Sequence, residues 1–115
     1  MIRALITLEN GILKSCRISG HAGAGPKGAD IVCAAVSVLS RTACKTLSGR
    51  KGISVNSDFP ERGEFFLNVN AAGPENLEFL AGIGSFLTEG LLSVSGEFPD
   101  FCNVTIEDRR DNNGS

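Results

Sequence analysis

Residues 2–9 alternate apolar and polar, the period of two that sends one side chain to a core and the next to water, and they predict a strand. Asn10-Gly11 follows, a pair suited to turn positions with positive φ, and predicts a tight hairpin. The return strand is 12–19, with Ile12, Cys16 and Ile18 assigned to one face and Leu13, Ser15 and Arg17 to the other. A glycine-rich stretch, Gly20-His21-Ala22-Gly23-Ala24-Gly25-Pro26-Lys27-Gly28, then breaks the alternation. From about Ala29 to Leu47 the period lengthens. Val32, Ala35, Val36, Leu39 and Ala43 recur at threes and fours and predict a helix. Asp30 stands where an N-cap or first-turn acid belongs, and Ser48-Gly49 supplies a stop. Segments 53–58 and 64–70 predict two more strands, joined by a turn at Pro60-Glu61-Arg62-Gly63. Gly73-Pro74-Glu75 opens a second helix with an apolar side of Leu77, Leu80, Ala81, Leu87 and Leu91, although Gly82, Gly84 and Gly90 argue against its regularity. A last strand is predicted over 102–107, and 109–115 is a polar tail expected to be disordered. The order is β-β-α-β-β-α-β: a single α+β domain over residues 1–108, with two helices packed on a mostly antiparallel sheet.

At 115 residues, 42% hydrophobic and 21% charged, the chain holds enough apolar material for one core. Its net charge of -2 excludes a general nucleic-acid binder, since no basic face emerges; Arg50-Lys51 and Arg109-Arg110 are isolated pairs. No unbroken apolar run reaches the ~18 residues of a membrane span, and the first residues read as a strand rather than a leader peptide. A cytoplasmic protein without membrane partners is therefore expected. Cys16, Cys33, Cys44 and Cys102 form no CxxC pair, and one histidine does not complete a zinc set, so neither a metal nor a cofactor is expected. The thiols should be free. Cys33 and Cys44 share one predicted helix at a separation of about 16 Å, well beyond the ~7 Å limit for a disulfide.

The chemistry that remains centres on Cys33. A cysteine near a helix start is favoured as thiolate by the helix dipole, and the free N–H groups there can hold an oxyanion. His21, at the foot of the glycine-rich loop, is the one imidazole available as a base, and the loop is long enough to bring it back to the thiol. Each feature also has a plain structural explanation. Cysteine is among the most buried residue types, a histidine after a strand is often a surface residue, and a glycine-rich loop is often a connection. On the residues alone both readings stand.

The wording of the segment goes further. Gly20-His21-Ala22, followed by Gly28-Ala29-Asp30-Ile31-Val32-Cys33-Ala34-Ala35-Val36-Ser37, resembles the signature of Prp, the bacterial ribosomal-processing cysteine protease family. The motif lies in residues 20–37, and length and element order agree over nearly the whole chain. The resemblance implies a homodimeric cysteine endopeptidase. Its partner would be a ribosomal protein precursor, the twenty-seventh protein of the large subunit, from which it removes a short N-terminal extension. It implies His21 as base, Cys33 as nucleophile and a mobile loop between them, with Gly20, Gly23, Gly25 and Gly28 as its glycines. Ser37, one turn beyond Cys33, matches a serine of the motif and shares its helix face. Cys33, Ser37, Ser40 and Cys44 together make a stripe of small, weakly polar residues, for which close packing is the alternative. Asp30 is open between capping the helix, orienting His21 and binding substrate backbone. The loop itself offers few side chains to read a substrate. Two other classes remain at this stage: a non-catalytic, ribosome-associated binding module on the same fold, and a redox-sensing thiol protein, against which the lack of a nearby resolving cysteine counts.

Overall fold

Asn10 and Gly11 take positive φ angles, 53° and 78°, and fold β1 (Ile2–Glu9) back on β2 (Ile12–Ser19). The structure, a computed structural model, describes residues 1–21, 27–60 and 63–110; for 27–30 it describes the backbone. Of the expected tail 109–115, Arg109 instead ends the last strand, and residues 111–115 lie outside the described residues. After β2 come α1 (Lys27–Ser48), the strands β3 (Ile53–Asp58) and β4 (Phe65–Ala72), a single 3₁₀ turn (Pro74–Asn76), α2 (Leu77–Glu97) and β5 (Cys102–Arg109). The sheet order is β3-β4-β2-β1-β5. Three pairings are antiparallel and β1–β5 is parallel. The element order and the α+β class are those the pattern predicts.

The core lies between the sheet and the two helices. Ile2, Ala4 and Ile6 of β1, Cys16 and Ile18 of β2, Phe65, Leu67 and Val69 of β4 and Cys102 of β5 meet Val32, Val36, Ala43, Cys44 and Leu47 of α1 and Leu80, Leu87, Leu91 and Val94 of α2. Two positions depart from the expected faces. Leu13 is buried and Ile12 only partly so, because the β1–β2 register shifts. Thr7 pairs with Ser15 and Leu8 with Leu13, leaving Lys14 as the extra residue of a bulge. The bulge returns Leu13 to the core side, and the Lys14 ammonium donates to the Val69 carbonyl at 2.9 Å. On α2, Leu77 is exposed, since it is the first residue of the helix.

The glycines of α2 sit where elements approach closely. A Cβ on Gly84 would stand 3.2 Å from the Leu13 Cβ, and one on Gly90 would stand 2.9 Å from the Leu39 Cδ2. Gly84 lets α2 lie down on the hairpin, and Gly90 lets α1 cross close to it. Burial against the sheet and across this contact, rather than intrinsic propensity, holds α2 in a helix. A second tie joins the end of α1 to the start of α2. Buried Asn76 accepts from Arg50 Nε at 2.7 Å and donates to the Lys51 carbonyl at 3.0 Å, while the Arg50 guanidinium stacks 3.9 Å from the Phe79 ring centre. Arg50 is thus a structural clasp.

By length and composition Ile31–Ser48 and Pro74–Glu97 would each suffice to cross a membrane. This differs from the expectation drawn from unbroken apolar runs, because scattered serines and threonines lower a segment's mean hydropathy only slightly. Here both helices give one side to the sheet and to each other.

One buried polar atom, Thr88 Oγ1, has no hydrogen-bond partner among the described residues. A buried unpaired hydroxyl carries its desolvation cost without return. Thr88→Val should therefore stabilise the fold by about 1 kcal/mol, read as a higher urea midpoint at unchanged slope.

Candidate functional site

The four thiols are free and differ in access. Cys16, Cys44 and Cys102 are buried, whereas Cys33 is half-buried. Burial pushes the Cys16 thiol up to about 12 and raises that of Cys102 as well. Both thiols are therefore held protonated at neutral pH and are poor nucleophiles. The Cys44 sulfur lies 3.9 Å from the Ser48 hydroxyl, within the same helix. Cys33 is the one thiol with a path to solvent.

Its place follows from how α1 is rotated. Burying Val32, Val36, Ala43 and Leu47 turns that side of the helix inward and leaves Cys33 at the boundary, packed on the rim of the core. The predicted stripe of small residues splits there. Ser40 is buried, its hydroxyl donating to the Val36 carbonyl at 2.8 Å, and Cys44 is buried too, so these two are packing residues. Ser37, one turn from Cys33, is exposed.

The helix starts two residues earlier than its spacing predicts. Cys33 is therefore the seventh residue of α1 rather than about the fifth, and the helix-start field, which fades within the first turn, acts on it less directly. The same extension takes Gly28 into the helix and makes Asp30 its fourth residue; the Asp30 side chain lies outside what is described. Gly23 and Gly25 lie outside the described residues.

His21 follows β2 and is exposed. Gly20 before it has φ 92°, and a Cβ there would run into the Met1 carbonyl. The His21 carbonyl accepts from the Met1 ammonium at 2.7 Å. These contacts seat its backbone at the end of the sheet. Its imidazole rests on Gly63, where an added Cβ would be 2.5 Å from Cε1 and 2.7 Å from Nδ1. The sequence predicts Gly63 as a turn residue, and its φ is 87°; its service to His21 is a long-range contact with no local signal. Among the described residues no hydrogen bond joins the imidazole to the Cys33 thiol.

The arrangement offers an accessible thiol on a helix flank and a seated imidazole on the β3–β4 side of the sheet. Comparison with known proteins places it in context. The family model for cysteine protease Prp matches residues 1–103. No curated protein matches the chain. Among solved structures, SMU.848 from Streptococcus mutans is similar at 29% identity and TM-score 0.77, over 95% of this chain and 96% of that one. An essential ribosomal processing protease Prp from S. aureus, in complex with a covalently linked product peptide, is similar at 21% identity and TM-score 0.76, over 93% of this chain and 100% of that one. The same protein in complex with a substrate peptide is similar at 20% identity and TM-score 0.76, with the same coverage.

If Gly63 seats the imidazole, Gly63→Ala should move it while Gly52→Ala should not, although both replace a glycine of nearly equal positive φ, 87° and 89°. Each should cost about 1–2 kcal/mol of stability. The chain has a single histidine, so its imidazole NMR resonances are unambiguous. They should shift clearly in Gly63→Ala and stay in place in Gly52→Ala.

Proposed function

The chain belongs to the cysteine protease Prp family, and on that premise we propose that it is a cysteine endopeptidase in which Cys33 is the nucleophile and His21 the base. The proposed substrate is the precursor of the twenty-seventh large-subunit ribosomal protein, cut to remove a short N-terminal extension, which puts the enzyme in ribosome assembly in the cytoplasm. The observation that carries the reading is the selective exposure of Cys33 while the other three thiols are buried.

The chemistry is acyl transfer. His21 takes the thiol proton, and the Cys33 sulfur attacks the scissile carbonyl carbon to form a C–S bond and an oxyanion. His21 then returns the proton to the leaving nitrogen as the C–N bond breaks. Water, deprotonated by His21, attacks the thioester and releases the acid and the free thiol. The missing hydrogen bond between thiol and imidazole is compatible with this cycle, because such contacts often tighten only with substrate bound. Ser37, exposed one turn on from Cys33, is proposed to meet substrate, and Asp30 is proposed in a supporting or substrate-binding role.

Cys33→Ala and His21→Ala should each lower cleavage of the source organism's own precursor by roughly a thousandfold or more while keeping the wild-type thermal transition. Mass spectrometry of the products should show a single cut near the N-terminus in the wild type. Full activity in either variant would refute the pair.

We also propose that the working unit is a homodimer. Light scattering at micromolar concentration should give twice the 12.1 kDa chain mass, and a stable monomer there would rule it out.

A further inference from the structure

Residues four apart on a helix form one ridge, and the ridge through the candidate nucleophile runs Cys33, Ser37, Arg41. Exposure grows along it, from half-buried Cys33 to exposed Ser37 and Arg41. At its far end the Arg41 guanidinium carbon lies 4.7 Å from the centre of the Phe59 ring. Phe59 also packs on Phe65, centre to centre 5.1 Å at a 50° tilt, yet keeps 43% of its surface open. A ring held by a cation and by a second ring, and open elsewhere, is a rigid apolar wall that needs no ordering before it binds.

Its distance from the thiol suits a peptide. Arg41 stands eight residues beyond Cys33, about 12 Å along the axis, and an extended chain advances about 3.3 Å per residue. The interval is three to four peptide residues. The same β3–β4 connection carries Phe59 at one end and Gly63, under the His21 imidazole, at the other. β3, which ends just before Phe59, is an edge of the sheet, and an edge strand offers backbone groups to an extended partner.

We propose that Phe59, held by Arg41, forms a specificity subsite for an apolar substrate side chain three to four residues from the scissile bond. The peptide lies extended between the Cys33–Ser37–Arg41 ridge and the Phe59 ring. Arg41 is a positioning residue, because it acts by fixing the ring. The inference rests on the protease reading above and deepens it, by naming what the site recognises away from the reacting bond.

The test uses a peptide spanning the extension of the source organism's own ribosomal precursor, with alanine placed singly at each of the five positions on either side of the cut. In the wild type one position, three or four residues from the cut, should lose roughly tenfold or more in kcat/KM through KM. In Phe59→Ala that sensitivity should disappear, in Arg41→Ala it should shrink, and in Phe59→Leu, which keeps an apolar wall and guards against misfolding, it should largely return. Loss spread evenly over all peptides, or sensitivity unchanged in Phe59→Ala, would overturn the subsite while leaving the protease reading intact. If the wild type cuts none of the peptides, the protease reading fails at this substrate, and fluorescence anisotropy of the same labelled set decides the subsite. A position-specific loss of binding confined to Phe59→Ala supports it, and its absence overturns it.

Discussion

A helix lying on a sheet has one rotational freedom that matters, and in α1 it is settled by Val32, Val36, Ala43 and Leu47, all buried in the core that α1 shares with the strands and α2. Val32, Val36 and Leu47 each contribute on the order of 1.5–3 kcal/mol through burial and the Ala43 methyl about 0.8 kcal/mol, so turning the helix by even one residue position would forfeit several of these contributions. With that side fixed inward, every other position on α1 has its environment assigned. Ser40 must be buried and must satisfy its hydroxyl within the helix, which it does on the Val36 carbonyl. Cys33 must fall at the edge, and Ser37 and Arg41 outside. The site's accessibility is a consequence of packing energy spent elsewhere.

Much of this was legible in the chain. Period-two and period-three-and-four patterns gave the element order, and Asn10-Gly11 gave the first hairpin with the φ signs it needs. What was not legible came from pairing rather than from local pattern. The bulge at Lys14 depends on how β2 meets β1, and it reverses the assignment of Leu13. The glycines of α2 looked like defects because propensity counts what a residue lacks. Gly84 and Gly90 instead permit close approach to Leu13 and Leu39, a property of two elements together.

The candidate site divides the same way. Cys33 and His21 stand out in sequence through their motif, and Cys33 is the one of the four thiols that is not buried. The support around them did not stand out. Gly63 lies forty-two residues from His21 in the chain, and its contact with the imidazole exists because β4 pairs with β2 and so brings the β3–β4 connection to the end of β2. The stripe of Cys33, Ser37, Ser40 and Cys44 looked uniform in sequence and is divided in space. Small, weakly polar residues pack or face water equally well, and the neighbouring large residues decide which.

The extra helical residues before Cys33 bear on how its thiol would be activated. Seven positions into α1, it sits beyond the first turn, where the dipole and the free N–H groups act most strongly. In the proposed Cys33–His21 pair, activation would fall more heavily on the imidazole than on the helix. That makes the placement of His21 the controlling variable, and His21 is an exposed side chain whose backbone is tied at Gly20 and Met1 and whose ring leans on Gly63.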